Sequence, residues 1–203
     1  MIENIMFDMG GVLVDLDRYA CVKAFCDLGF EEAGRLLDSF HQKGIFGQLE
    51  KGEASPEDLY EYVRRSTGRD IPSADIDGAL CSFLTGLPVY KLQMLLDLRK
   101  RFNILLLSNT NPIMMEFSRR TFFAQQGLTA EDYFDDIFLS YQMGLLKPDE
   151  RIFRRIIDEA GIDPSRTLFI DDGRDNTDAA ARLGYRTYLA SPQEDFRGIF
   201  AEL

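Results

Sequence analysis

The sequence predicts an α/β fold: a parallel sheet with helices on both faces, interrupted near its start by a helical insertion. Three observations carry this expectation. From Pro88 onward, stretches of helical period alternate with short apolar runs, the pattern of parallel strands joined by right-handed crossovers. Three of the apolar runs, ending at Asp8, at Ser108 and at Asp171, close on polar groups, as strands do when they deliver side chains to one edge of a sheet. Between the first run and the alternating part, residues 15–87 read as helices. The resulting division is a Rossmann-like core at 1–14 and 88–203 and a helical domain at 15–87.

The elements follow in order. A strand near 4–8 ends at Asp8 and breaks into Gly10 and Gly11. In the insertion, Val22, Phe25 and Cys26 share one helical face, and Ala33, Leu36, Leu37 and Phe40 another. Ser55-Pro56-Glu57-Asp58 starts a helix: Ser caps, Pro takes the first turn, and Asp58 returns to the open amides. Ile76, Ala79, Leu80 and Phe83 form a further stripe. Past Pro88, a helix at 89–101 leads to a strand at 104–107, a helical region and a strand at 137–140. The helix at 149–160 places Ile152, Phe153, Ile156 and Ile157 on one face and stops at Gly161. Strands at 167–171 and 186–190 flank a helix that ends at Gly184.

Composition narrows the function classes. A chain of 203 residues, 45% hydrophobic and 28% charged, builds one good core and a subdomain. A net charge of -11 argues against nucleic acid, whose phosphates are gripped by Lys and Arg. There is no membrane-spanning apolar run and no basic-then-apolar leader, so a cytoplasmic protein is expected, with the oligomeric state left open. Cys21, Cys26 and Cys81 lack metal-ligand spacing and read as buried thiols of a reducing compartment. His41 is the only histidine, which disfavours a histidine-centred triad.

The chemistry concentrates in four places: Asp8-Met9-Gly10-Gly11, Ser108-Asn109-Thr110, Lys147-Pro148-Asp149 and Asp171-Asp172. Together they supply a carboxylate nucleophile, hydroxyl and amide donors, a cation and an acidic pair, and the crevice beyond the strand ends can hold them all. Gly10 and Gly11 let the backbone approach a phosphate. Ser108 either caps the next helix or donates to a phosphoryl oxygen, and the two roles are compatible. Lys147 neutralises charge on the phosphoryl oxygens and Asp8. Adjacent carboxylates at Asp171 and Asp172 repel one another unless a cation is present, and Mg²⁺, hard and oxygen-seeking, suits them.

The texts FDMGGVLVDLD, LLLSNTN, MGLLKPD and FIDDGRDN resemble the haloacid dehalogenase (HAD) superfamily, and within it the α-D-glucose-1-phosphate phosphatase branch. The resemblance spans nearly the whole chain. It implies Asp8 as nucleophile, Asp8, the Gly10 carbonyl and Asp172 as metal ligands, and Asp171 or Asn176 acting through water, with Asp175 as a lesser contributor. It implies phosphate contacts from Gly10, Gly11, Ser108, Asn109 and Lys147, and a cap domain made by 15–87. One position departs from the pattern. Most phosphatases of the superfamily carry a second Asp two residues after the nucleophile, as general acid and base; here that position is Gly10. Three outcomes are open: a leaving group that departs with little protonation, as an anomeric sugar phosphate does; a water or a cap side chain in place of the acid, with Glu50, His41 and Asp15 as candidates; or slow turnover in a protein that binds phosphorylated ligands.

The expected activity is Mg²⁺-dependent hydrolysis of small phosphorylated metabolites, such as sugar phosphates, through an aspartyl phosphate. The alternatives are a metal-independent 2-haloacid dehalogenase and a catalytically weak phosphate-ligand-binding protein on the same fold.

Overall fold

The computed structural model describes residues 1–38 and 42–203. Strand β1 (Asn4–Phe7) runs through a tight loop into the two-residue strand β2 (Asp15–Leu16). Helices α1 (Arg18–Asp27), α2 (Ala33–Leu36), α3 (Gly44–Lys51), α4 (Pro56–Thr67) and α5 (Ser73–Cys81) follow, closed by β3 (Leu84–Gly86). The remainder is α6 (Val89–Leu98), β4 (Asn103–Ser108), α7 (Pro112–Thr121), α8 (Ala130–Tyr133), β5 (Asp136–Leu139), α9 (Ser140–Met143), α10 (Glu150–Ala160), β6 (Thr167–Asp171), α11 (Arg174–Arg182) and β7 (Arg186–Leu189).

The main sheet is parallel throughout, in the order β5-β4-β1-β6-β7. Its strands are apolar on both faces because helices cover both. Ile5, Phe7, Ile104, Leu106, Leu168 and Ile170 enter one buried cluster, which runs on into the helical segment. Met6, Leu105, Leu107 and Phe169 point the opposite way, onto Ile152, Phe153 and Ile156 of α10 and Ala179 and Ala180 of α11. Period-two alternation therefore sorts each strand between two cores.

The register positions the site. Phe7 lies opposite Leu106 on one side and Ile170 on the other, so the carboxyl ends of β1, β4 and β6 finish at one level. After β1 the chain fills one side of it with β4 and β5, then returns to fill the other with β6 and β7. The crevice where that direction reverses is where ligands bind in open α/β sheets.

The helical segment differs in detail from the sequence reading. β2 and β3 pair antiparallel, Asp15 opposite Gly86, and tie its two ends together. Strands of two and three residues are too short to show alternation, so no pattern announces them. On α1 the buried residues are Cys21 and Phe25, with Val22 and Cys26 only half-buried. The expected stripe at Ala33, Leu36, Leu37 and Phe40 is a single helical turn; Leu37 is already extended, and Phe40 lies outside the described residues. Helix α5 ends before Phe83, which is buried beyond it. The capping box is present as expected: Asp58 N–H donates to Ser55 Oγ at 3.2 Å and Ser55 N–H to Asp58 Oδ2 at 2.7 Å. Phe25, Phe30 and Phe46 pack edge to face, with 5.2 Å between the Phe25 and Phe46 centroids. All three cysteines are free. Among the described residues no helix is long and apolar enough to cross a membrane.

Candidate active site

Asp8 is the first residue past β1 and is buried, with its N–H donating to the Ile170 carbonyl at 2.9 Å. Its Oδ1 accepts the Met9 N–H at 2.7 Å and pairs with Lys147 Nζ at 2.9 Å. Lys147, only 1% exposed, also donates to Asp171 Oδ2 at 2.6 Å and to the Leu107 carbonyl at 3.2 Å. The three ammonium protons are thereby matched by three protein acceptors. Burial pulls the Lys147 pKa down, but Asp171 and Asp8 outweigh it and hold the ammonium above its ordinary range, so it stays charged.

Asn109 lines the cavity, and its side chain has a role of its own. Its Oδ1 accepts the Lys147 N–H and its Nδ2 donates to the Lys147 carbonyl, both at 2.9 Å. The side chain thus clamps the lysine loop, while the backbone N–H expected to meet phosphate makes no hydrogen bond among the described residues. Ser108 is not the helix cap: Asn111 caps α7, its Oδ1 accepting the Met114 N–H at 3.0 Å with Pro112 in the first turn. The buried Ser108 hydroxyl makes only a 3.5 Å contact to the Asn109 carbonyl and lines the crevice.

The acidic pair divides its work. Asp171 is fully buried, and its Oδ1 accepts from Gly173 N–H at 2.7 Å and Asn176 Nδ2 at 2.9 Å, while Oδ2 takes Lys147. Asp172 is half-buried beside Gly11. Gly11 has φ +76°, and a Cβ there would lie 2.0 Å from Asp172 Oδ2. Glycine at this position makes room for a carboxylate, where the sequence reading had it making room for phosphate. Asp175 is exposed in the first turn of α11 and lines neither the main cavity nor its neighbour.

Asp8, Asp171 and Asp172 each bring a carboxylate oxygen within 4.8 Å of the others. One ammonium faces these three groups. Burial first, then repulsion from Asp171 and Asp172, raises the Asp8 carboxyl well above its ordinary range, against the pull of Lys147. Burial and Asp171 push Asp172 up to about 6. With the Asp171 oxygens committed, Asp8 and Asp172 are the carboxylates left to hold a cation. Asn176 Oδ1 is buried and without a hydrogen-bond partner among the described residues, an acceptor suited to a metal-bound water. An all-oxygen donor set of this kind fits Mg²⁺.

Above these groups opens a cavity that is partly open to solvent. Asp8, Gly10, Ser108, Lys147, Asp172 and Asn176 line its floor. The helical segment supplies the opposing wall, with Leu37, Phe46, Leu80 and Phe83 as its apolar part and Gln42 and Glu50 as its polar part. The buried Thr110 hydroxyl, unpartnered among the described residues, also lines it. Of the three candidate substitutes for the missing acid, Glu50 lies in this cavity, Asp15 lines the adjoining one, and His41 is outside the described residues.

The model of haloacid dehalogenase-like hydrolases matches residues 2–184. The chain belongs to the haloacid dehalogenase-like hydrolase family. It is 39% identical over 197 residues, 97% of this chain and 96% of the relative, to a D-ribitol-5-phosphate phosphatase of Bacteroides thetaiotaomicron. A HAD family enzyme from the same organism, an Asp-to-Ala mutant in complex with magnesium and inorganic phosphate, superposes with a TM-score of 0.95 at 38% identity, covering 98% of this chain and 99% of that one. A HAD-like hydrolase from Porphyromonas gingivalis superposes with a TM-score of 0.92 at 36% identity, covering 100% and 97%.

Within this HAD-like hydrolase, some site residues were readable and others were not. Asn111-Pro112 carries the helix-start signature that frees Ser108 from capping α7. No local pattern points to Thr110 or to the apolar wall, because they become neighbours of Asp8 only through the fold.

Proposed function

We propose that the protein is a Mg²⁺-dependent phosphomonoesterase of small phosphorylated metabolites, with Asp8 as the nucleophile. The observation that carries this reading is the Asp8 carboxylate on the cavity floor, held through Oδ1 by Lys147 and Met9 while Oδ2 has no hydrogen bond among the described residues. Attack by that oxygen on phosphorus forms an acyl phosphate and releases the alcohol; water then regenerates the carboxylate. Asp8, Asp172 and the Gly10 carbonyl would hold the ion, with Asn176 reaching it through water. Magnesium, when bound, offsets charge on the phosphoryl oxygens and on the acidic cluster. Ser108 Oγ and the N–H groups of Gly10 and Asn109 are the donors available to phosphate, since the Met9 and Gly11 N–H groups are held by Asp8 Oδ1 and the Val14 carbonyl. Lys147 favours the ionised form of Asp8 against its burial and orients it, and Asn109 fixes the lysine loop.

In this reading residues 15–87 form a cap over a core built from 1–14 and 88–203, and the β2–β3 ribbon joins the two. The three free thiols support a cytoplasmic setting. The likeness to a D-ribitol-5-phosphate phosphatase favours sugar and alditol phosphates as substrates. A dehalogenase reading leaves the carboxylate of Asp172 beside an anionic substrate with nothing to offset it.

The test is a panel of sugar 1-phosphates, alditol phosphates and other alkyl phosphates, with and without Mg²⁺, with Asp8→Asn as control. Phosphate release that needs both magnesium and Asp8 is expected. Halide release from 2-chloropropionate that is indifferent to EDTA would overturn the reading in favour of a dehalogenase. Magnesium-dependent ester binding without turnover would identify a binding protein.

A further inference from the structure

We propose that Glu50, carried on α3 and lining the same cavity as Asp8, is the general acid and base that Gly10 cannot be. The proposal rests on the phosphatase reading above and identifies the proton carrier of that reaction.

The position is built with care. Glu50 is 8% exposed and lines the same cavity as Asp8, Lys147 and Ser108. Its backbone is pinned to the core: the single Ser140 hydroxyl proton is donated to the Glu50 carbonyl at 2.6 Å, with the Thr110 carbonyl 3.0 Å from the same oxygen, and Ser140 Oγ accepts the Thr110 N–H at 2.9 Å. One serine hydroxyl therefore ties the end of α3 to the loop that follows β4. Two residues on, Gly52 passes the Tyr141 carbonyl so closely that a Cβ would lie 2.2 Å from it. Helix α3 is thus seated on α9 at the site, not free over it. No hydrogen bond reaches the Glu50 carboxyl among the described residues, and its oxygens are not among the sealed, unpartnered atoms, which are Thr110 Oγ1 and Asn176 Oδ1; the carboxyl faces the cavity it lines and is free to meet a ligand there.

Its protonation suits the task. Burial pushes the Glu50 carboxyl up to about 8, with Lys147 the one charge opposing it. Near neutrality such a group holds a proton to give and can take one back. The need is real for alditol and other alkyl phosphates, because an alkoxide departs poorly without a proton. Aryl phosphates depart readily without one. In the first step the Asp8 carboxylate forms an O–P bond, the ester P–O bond breaks with its electron pair going to the ester oxygen, and Glu50 protonates that oxygen. In the second, the Glu50 carboxylate takes a proton from water as the water oxygen bonds to phosphorus. The Asp8–P bond then breaks, returning the carboxylate and releasing phosphate.

The experiment compares wild type and Glu50→Gln, at saturating Mg²⁺, in single-turnover release of alcohol from an alditol phosphate and of nitrophenolate from p-nitrophenyl phosphate. Gln matches the size and neutrality of the protonated acid, and inorganic phosphate binding by calorimetry reports an intact site. The expected result is a loss of about 10²–10⁴ on the alkyl ester, the usual worth of general acid catalysis, against less than tenfold on the aryl ester. Equal losses on both esters, or no loss on either, would overturn the proposal while leaving the phosphatase reading intact. A wild type with no magnesium- and Asp8-dependent turnover of any ester would overturn both.

Discussion

Replacing Glu50 by Gln should change the pH dependence of folding stability in a way that is independent of catalysis. The carboxyl titrates near 4.5 in an unfolded chain and is raised to about 8 in the folded protein. The folded state therefore holds its proton more tightly, and the stability that goes with it is intact below pH 4.5 and lost as the pH climbs towards 8. Linkage over those two values gives a loss of about 1 kcal/mol at pH 5 and about 3 kcal/mol at pH 7. A glutamine does not titrate, so its stability relative to wild type should improve by about 2–2.5 kcal/mol between pH 5 and pH 7. Any constant effect of the substitution, favourable or not, cancels in that double difference. So do Asp8, Asp172 and Lys147, which are common to both proteins. Urea unfolding at the two pH values, in EDTA, measures it. A difference that stays within about 0.5 kcal/mol of zero, well inside what such a linkage predicts, would mean that Glu50 is ionised in the folded protein and that its burial does not govern its charge.

Two other outcomes follow from the same geometry. Lys147→Met strips the buried Asp8 and Asp171 of their shared cation, and urea unfolding should register a loss of about 3–5 kcal/mol, as for other broken buried ion pairs. Gly11→Ala places a methyl 2.0 Å from Asp172 Oδ2 at a positive φ, so magnesium titration of activity should show activation weakened by about tenfold or more; Gly10→Ala, whose methyl meets only the flexible Leu16 side chain at 3.2 Å, should cost less.

The parallel sheet and its strand-end chemistry were legible because each rests on local pattern. Runs such as Leu105-Leu106-Leu107 and Leu168-Phe169-Ile170 are apolar on both faces, which only a strand covered on both sides requires. The Ser55 capping box and the Gly161 stop are equally local, each set within a few residues of backbone. The β2–β3 ribbon was not legible, since its two short strands pair across a separation that no periodicity records. Asp175 looked like a site residue from its place beside Asp171, Asp172 and Asn176, yet the helical turn that carries Asn176 inward carries Asp175 to solvent.

Roles within the site divide along the same line. The sequence alone determined which chemical groups the chain possesses: a strand-end aspartate, a lysine before proline, an acidic pair, and a glycine where an acid is usual. Tertiary structure decided what each group faces. It committed the Asn109 side-chain amide to the Lys147 backbone and both Asp171 oxygens to partners, made Gly11 a berth for Asp172, and brought Glu50 into the cavity that Asp8 lines. The physical reason is that residue type sets what a side chain can donate, accept or attack. Burial and the company of residues far away in the chain set whether it is charged, occupied or free.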